Sequence, residues 1–198
     1  MNILIIAPTG REYRNISAAV TAATNTRHTY TVTCSGIGKA ASAAATARAI
    51  VTAERPYDAV AVIGFAAGTL GYRQGEIVTP SVAQYHDCDV PAGFIPELTD
   101  PIALKGGSDK VMVFTGDSFV NAEIIAEIKH RFGIEHAIFD MEITSIAIAA
   151  DLCGKVPVIA LKMISDVPEA GDTEQSYDEF ADSHSDFSAF VEVLEQME

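Results

Sequence analysis

Apolar and polar positions change rhythm repeatedly along this chain. Short β-branched runs alternate with longer stretches in which small and apolar residues recur at helical spacing. Residues 2–7 (Asn-Ile-Leu-Ile-Ile-Ala) read as a buried strand, and 13–24 as a helix of mostly small residues. Residues 29–33 alternate as a strand does, and 39–54 form an Ala-rich helix entered through Gly36-Ile37-Gly38 and ended before Pro56. A buried strand follows at 58–63, then two strands at 76–79 and 82–86 separated by Pro80. Residues 89–110, with Pro91, Pro96, Pro101, Gly93, Gly106 and Gly107, read as a loop. Beyond it the pattern predicts a strand at 111–115, a helix at 121–132, a short strand at 137–139 and a helix at 143–152 that stops near Gly154. A long buried strand at 156–163 and one amphipathic closing helix at 177–196 complete the chain. Strands alternating with helices, without repeat or linker, predict an α/β fold. The expected form is a single-domain three-layer αβα sandwich over residues 1–198 with a central mixed, mainly parallel sheet.

Composition narrows the function. The 198 residues are 48% hydrophobic and 20% charged, which suits a folded domain with a real core. Lys and Arg number 13 against 27 Asp and Glu, a formal net charge of −14, which argues against nucleic-acid or anionic-membrane partners. No apolar run reaches the roughly 18–20 residues needed to span a bilayer. Met1 to Ala7 lacks a basic leader and a cleavage site, so it reads as a first strand instead of a signal peptide. Cys34, Cys88 and Cys153, odd in number and widely spaced, fit a reducing compartment, so a cytoplasmic location is expected.

In sheets of this kind ligands bind beyond the carboxyl ends of strands. Glu12, Glu142 and Asp166 each follow an apolar run and are candidates to converge there. A lone carboxylate in such a place also serves as a helix cap or first-turn acid. That is the preferred reading for Asp140 and a rival one for Asp166. Gly36-Ile37-Gly38-Lys39 lacks the spacing of a phosphate loop or dinucleotide fingerprint and reads as a tight strand-to-helix turn. Gly64-Phe65-Ala66-Ala67-Gly68 admits a ligand against its backbone or simply close helix packing. Tyr85-His86-Asp87-Cys88-Asp89 contains metal-ligand types. Strand alternation would send His86 and Cys88 one way and the aspartates the other, and His28, His130, His136 and His184 stand apart, so no metal is expected. No nucleophile-elbow pattern marks a serine triad.

A set of segments, in order, carries a family pattern. They are residues 3–7 with Glu12; Ser35-Gly36-Ile37-Gly38-Lys39; and Gly64 to Gly68 with Gly75-Glu76-Ile77-Val78. Then come Tyr85-His86-Asp87-Cys88-Asp89-Val90, Gly116-Asp117-Ser118-Phe119-Val120, and Met141-Glu142. Ile164-Ser165-Asp166-Val167 and Ser176-Tyr177-Asp178-Glu179-Phe180 close the series. Together they resemble the nucleoside phosphorylase/nucleosidase superfamily, and within it the 5′-methylthioadenosine/S-adenosylhomocysteine nucleosidase branch. The stretch after Val90 has no counterpart in that pattern and is short against it, as though a helix were missing.

The resemblance implies a nucleoside phosphorylase-like fold and hydrolysis of a purine N-ribosyl bond through an oxocarbenium-like transition state. It implies Asp166 as general acid at purine N7, Glu12 as the base that positions water, and Glu142 as holder of ribose hydroxyls. Met141 would pack on the sugar, Phe119 stack on the base, Val120 pair with its edge through the backbone, and Tyr177 cover the pocket. Ser165, Phe65 and Ala66 complete the expected substrate-binding set. No cofactor is implied, and a homodimer is. Two residues depart from the branch: Phe65 stands where a Ser is usual, and Lys162 where an Arg is. Three rivals stay open: a phosphate-using phosphorylase with Arg11 or Arg14 as anion ligands, a futalosine-type hydrolase, and a nucleoside-binding protein without turnover.

Overall fold

In the computed structural model, residues 1–88 and 101–197 are described. The strands are β1 (Asn2–Ala7), β2 (Thr29–Cys34), β3 (Ala59–Gly68), β4 (Ile77–Val78), β5 (Pro80–Tyr85), β6 (Ile102–Ala103), β7 (Ser108–Thr115), β8 (Ile138–Asp140) and β9 (Val158–Asp166). The helices are α1 (Gly10–Ala22), α2 (Lys39–Val51), α3 (Ala122–Phe132), α4 (Ile143–Leu152), α5 (Glu174–Ser183) and α6 (Ser188–Glu195).

Among the described residues the strands form one nine-stranded mixed sheet in the order β2-β1-β3-β8-β7-β5-β6, with β9 joining β3 and β4. β1 runs parallel to β2 and β3, and β9 runs parallel to β3 from Val60 opposite Val158 onward. At its end β3 gains a further partner: past a register irregularity at Ala66–Ala67, Ala67 and Gly68 pair antiparallel with Phe139 and Ile138 of β8, while Ala67 still lies opposite Asp166 of β9. One strand therefore belongs to both halves of the sheet, and the sheet curls around it.

Alternation sorts the central strands onto two apolar faces. Leu4, Ile6, Val60, Val62 and Ala160 pack with Ile143, Ile146 and Ala150 of α4, against which Ile50 of α2 lies. Ile3, Ile5, Ala61, Ile63, Ile159 and Leu161 pack with Ile16 of α1, Phe180 of α5 and Phe190 and Leu194 of α6. A third cluster joins Phe114 and Phe139 to Ile125 and Ile128 of α3. Helices on both faces of a mixed sheet are the expected layered α/β architecture. No helix among the described residues is long and apolar enough to cross a membrane.

Several boundaries differ from the sequence reading, each for a local reason. α1 begins at Gly10, earlier than expected, because Thr9 caps it and Glu12 closes the capping box. Gly64 to Gly68 is the continuation of β3, not a turn after it. The closing helix is two helices. Ser183 Oγ lies 2.9 Å from the carbonyl of Phe180, and the Asp186 carboxylate accepts the amide of Ser188 at 2.9 Å, so side chains compete with the helical ladder between α5 and α6. The expected loop over 89–110 contains β6 and the start of β7. Its first part, with Asp89, Val90 and the short stretch after them, lies outside the described residues.

Candidate active site

A cavity opens where β1, β3, β8 and β9 end, and each strand end brings polar groups to it. Glu12 enters from the first turn of α1 and is 3% exposed. Its Oε2 accepts from Thr9 N at 2.9 Å and from Thr9 Oγ1 at 2.7 Å, while its Oε1 accepts the Phe65 amide at 2.9 Å. The approach demands glycine next door: a Cβ on Gly64 would sit 2.2 Å from Oε1.

Glu142 follows β8 and accepts the Gly38 amide on Oε1 at 2.9 Å. Burial is the main force on it, and with the charges of Asp140 and Glu12 it outweighs Lys162 and the Gly38 amide, so its carboxyl is pushed up to about 7. Beneath it lies a buried ion pair, with Lys162 Nζ 3.2 Å from Asp140 Oδ2 and both side chains 1% exposed. Burial alone lowers an ammonium's pKa, but Asp140, Glu142 and Glu12 prevail and hold Lys162 above its usual value. Asp140 also accepts the Ile143 amide at 3.0 Å at the start of α4, the capping role expected for it, and the Thr115 hydroxyl at 2.7 Å.

Asp166 ends β9 and is 6% exposed. Burial raises its carboxyl above the ordinary range, Asp172 adds to this, and the Ser165 hydroxyl opposes it. Ser165 Oγ lies 2.5 Å from Asp166 Oδ1 and 3.1 Å from the carbonyl of Ala66, and Gln74 Nε2 donates to the Ser165 carbonyl at 2.7 Å.

Aromatic rings close the remaining side. Phe119, 48% exposed, meets Tyr177 edge-on with centroids 5.6 Å apart. Tyr177 in turn meets Phe65 at 6.2 Å, and Phe65 packs edge-on against Phe180 and Phe187 at 5.8 and 5.5 Å. The unusual Phe65 thus anchors its ring in the core while its amide serves Glu12. Burial holds the Tyr177 phenol above its ordinary value. The loop bearing Phe119 starts at Gly116, where a Cβ would meet the His86 ring at 2.1 Å.

The residues expected to act on or bind the substrate all line this one cavity: Glu12, Glu142 and Asp166 together with Phe65, Ala66, Phe119, Val120, Met141, Ser165 and Tyr177; Arg11 and Arg14 are not among its lining residues. Thr9, Ile37, Ser118 and Asp140 line it as well, and the sequence reading gave none of them a site role. Thr9 was findable, because Thr9-Gly10-Arg11-Glu12 has the Thr-x-x-Glu spacing of a capping box. So was the Lys162 partnership, since a lysine in an all-buried strand requires a carboxylate nearby. β5 stops at Tyr85, so the alternation argument over residues 86–89 does not apply there; Asp87 instead pairs with Lys39. Among the described residues no group of three or more His, Cys, Asp or Glu is placed to hold a metal ion.

Known proteins resemble this chain in sequence and in fold. The profile of the phosphorylase superfamily matches residues 3–194. The 5′-methylthioadenosine/S-adenosylhomocysteine nucleosidase of Actinobacillus succinogenes is 33% identical over 168 residues, which is 74% of this chain and 71% of that one. Among solved structures, the corresponding nucleosidase from Neisseria meningitidis in complex with methylthio-immucillin-A has a TM-score of 0.78 at 23% identity, over 99% of both chains. The futalosine hydrolase of Helicobacter pylori strain 26695 has a TM-score of 0.78 at 21% identity, over 98% of this chain and 97% of that one. At these identities the solved structures speak for the fold, while the profile covers nearly the whole sequence. The chain therefore belongs to the phosphorylase superfamily.

Proposed function

We propose that this chain is a single-domain N-ribosyl hydrolase that releases the free purine from a 5′-substituted purine nucleoside of the methylthioadenosine/S-adenosylhomocysteine type. The observation that carries this reading is the meeting of Asp166, Glu12 and Glu142 in one cavity, with Asp166 held toward its protonated form. In the reaction the C1′–N9 bond breaks and its electron pair leaves with the purine. Asp166 gives its proton to N7, so that the base departs neutral. The ribosyl centre is left cationic, and water adds to C1′ from the opposite face. Glu12, gripped by Thr9 and the Phe65 amide, orients that water and takes its proton. Glu142 holds the ribose hydroxyls, with Met141 beside the sugar and Phe119 and Tyr177 over the base.

Charge favours water over phosphate. The described lining carries four carboxyl groups and neither lysine nor arginine, so nothing on it attracts a phosphate dianion. Of the two cations considered for phosphate, Arg11 pairs with Asp182 at 3.0 Å, and neither Arg11 nor Arg14 is among the residues lining the cavity. The A. succinogenes relative supports the methylthioadenosine-type substrate. A futalosine-type substrate would use the same chemistry with a different 5′ group. The deciding experiment incubates the protein with methylthioadenosine, S-adenosylhomocysteine, adenosine, inosine and futalosine, with and without phosphate, and follows free base by chromatography. Release without phosphate is expected; strict phosphate dependence would overturn the hydrolase, and no release from any nucleoside would favour a binding protein. The same reading makes the chain a cytoplasmic homodimer, and a monomeric sedimentation coefficient would correct that part.

A further inference from the structure

Helix α2 starts at Lys39, and Gly38 before it has no side chain to cap it. Its first amides are capped instead by carboxylates distant in the chain. Gly38 N donates to Glu142 Oε1 at 2.9 Å, and Lys39 N donates to Asp117 Oδ1 at 2.8 Å. A ring then closes around the second contact. Asp117 N donates to Asp87 Oδ2 at 2.9 Å, and Lys39 Nζ reaches Asp87 Oδ1 at 2.8 Å and Asp117 Oδ2 at 3.6 Å. The same ammonium lies 5.1 Å over the Tyr85 ring, whose hydroxyl is 2.7 Å from Ser145 Oγ on α4. Gly38 has a φ of +89°, and a Cβ there would come 3.0 Å from Asp117 Oδ1.

The placement of these residues gives the ring its meaning. Asp117 immediately precedes Ser118, Phe119 and Val120 on the cavity wall, while Gly38 holds Glu142 on another wall, with Ile37 beside it. An exposed ion pair by itself contributes little. Here the carboxylates satisfy helix-end donors that have no partner within their own helix, so loss of Asp117 leaves the Lys39 amide without its acceptor.

We propose that Asp117 is a positioning residue which, through Lys39 and Asp87, fixes the Ser118–Phe119–Val120 wall relative to the Gly38–Glu142 hydrogen bond. Recognition on the aromatic side and on the carboxylate side is thereby coupled through the start of α2. This deepens the function proposed above, because it takes the base to lie at Phe119 and the sugar at Glu142.

The test compares wild type with Asp117→Ala and Asp117→Asn. Asp117→Ala is expected to weaken adenine binding and raise KM for methylthioadenosine about tenfold, with kcat within about threefold of wild type. Asp117→Asn keeps an oxygen for the Lys39 amide and is expected to recover most of that loss. In the ligand-free protein, amide hydrogen exchange at residues 38–39 and at 118–120 should rise together in Asp117→Ala. A lower melting temperature with unchanged KM and adenine affinity, or faster exchange at 118–120 alone, overturns the proposal. A wild type that neither binds adenine nor releases base overturns the functional reading, and the exchange experiment still decides the coupling.

Discussion

On Glu12 the two carboxylate oxygens face different neighbours: one is bound by its own helix start at Thr9, the other by the Phe65 amide of β3. The helix-cap reading and the active-site reading of this residue are therefore both true of it. Asp166 is under a different constraint, since burial favours its neutral acid. A residue that must deliver a proton works only below its own pKa, so activity should fall as pH rises through the raised Asp166 value. Asp166→Asn should lose about 10²–10⁴-fold in kcat/KM, and the alkaline limb of the pH profile should vanish with it. A variant with the wild-type profile would remove Asp166 from the proton transfer. Glu142 gives a stability signature. Its folded pKa of about 7 stands above the ordinary 4.5, so its contribution is complete below about pH 4.5 and is lost as pH rises through about 7. Glu142→Gln stays neutral and keeps an acceptor for Gly38. The melting temperature of wild type relative to this variant should drop across that window, and a constant difference would show that Glu142 does not titrate there.

At the level of elements, the α/β rhythm was readable because alternation and helical spacing leave different marks on buried stretches: β1, α4 and the core of β9 stand where the pattern put them. What escaped were features made by side chains bonding to backbone. The break between α5 and α6 interrupts a continuous apolar stripe, visible beforehand only as the polar run His184-Ser185-Asp186. The convergence of Glu12, Glu142 and Asp166 was legible because acids collect at strand ends, whereas Phe119, Val120, Met141 and Tyr177 rested on the family pattern. That Lys162 needs a carboxylate is legible from its buried strand; that the carboxylate is Asp140 is not, because β8 and β9 must first be packed together. Thr9 shows how an element and the site share one residue. Thr9→Ala removes the cap of α1 and should cost about 1 kcal/mol in denaturant unfolding. It also strips the hydroxyl contact from Glu12 Oε2 and leaves only the Thr9 amide there, so kcat should fall more than the stability loss explains. Loss of stability with unchanged kcat would make Thr9 a cap and nothing more.

Over the whole molecule, a formal charge of −14 acts in the same direction as the carboxylate lining. A neutral nucleoside and water are indifferent to that field, whereas a phosphate dianion is repelled by it. Initial rates of base release should accordingly agree within about twofold with and without phosphate, while a rate rising with phosphate would reveal a local anion site that the global charge conceals. The sheet imposes a further condition on how the site operates. β3 pairs with β1 and β9 and, past a register irregularity at Ala66–Ala67, with β8 as well. The wall that holds Glu12 and the wall that leads to Asp140 and Glu142 share a single backbone, so they cannot swing apart as two jaws. Gaping the cavity would mean bending a hydrogen-bonded strand, whereas turning the exposed Phe119 ring disturbs only its edge contact with Tyr177. Traffic in and out of the site is thus expected to turn on the Phe119 ring at the rim, with the strand behind it as the stiffer part.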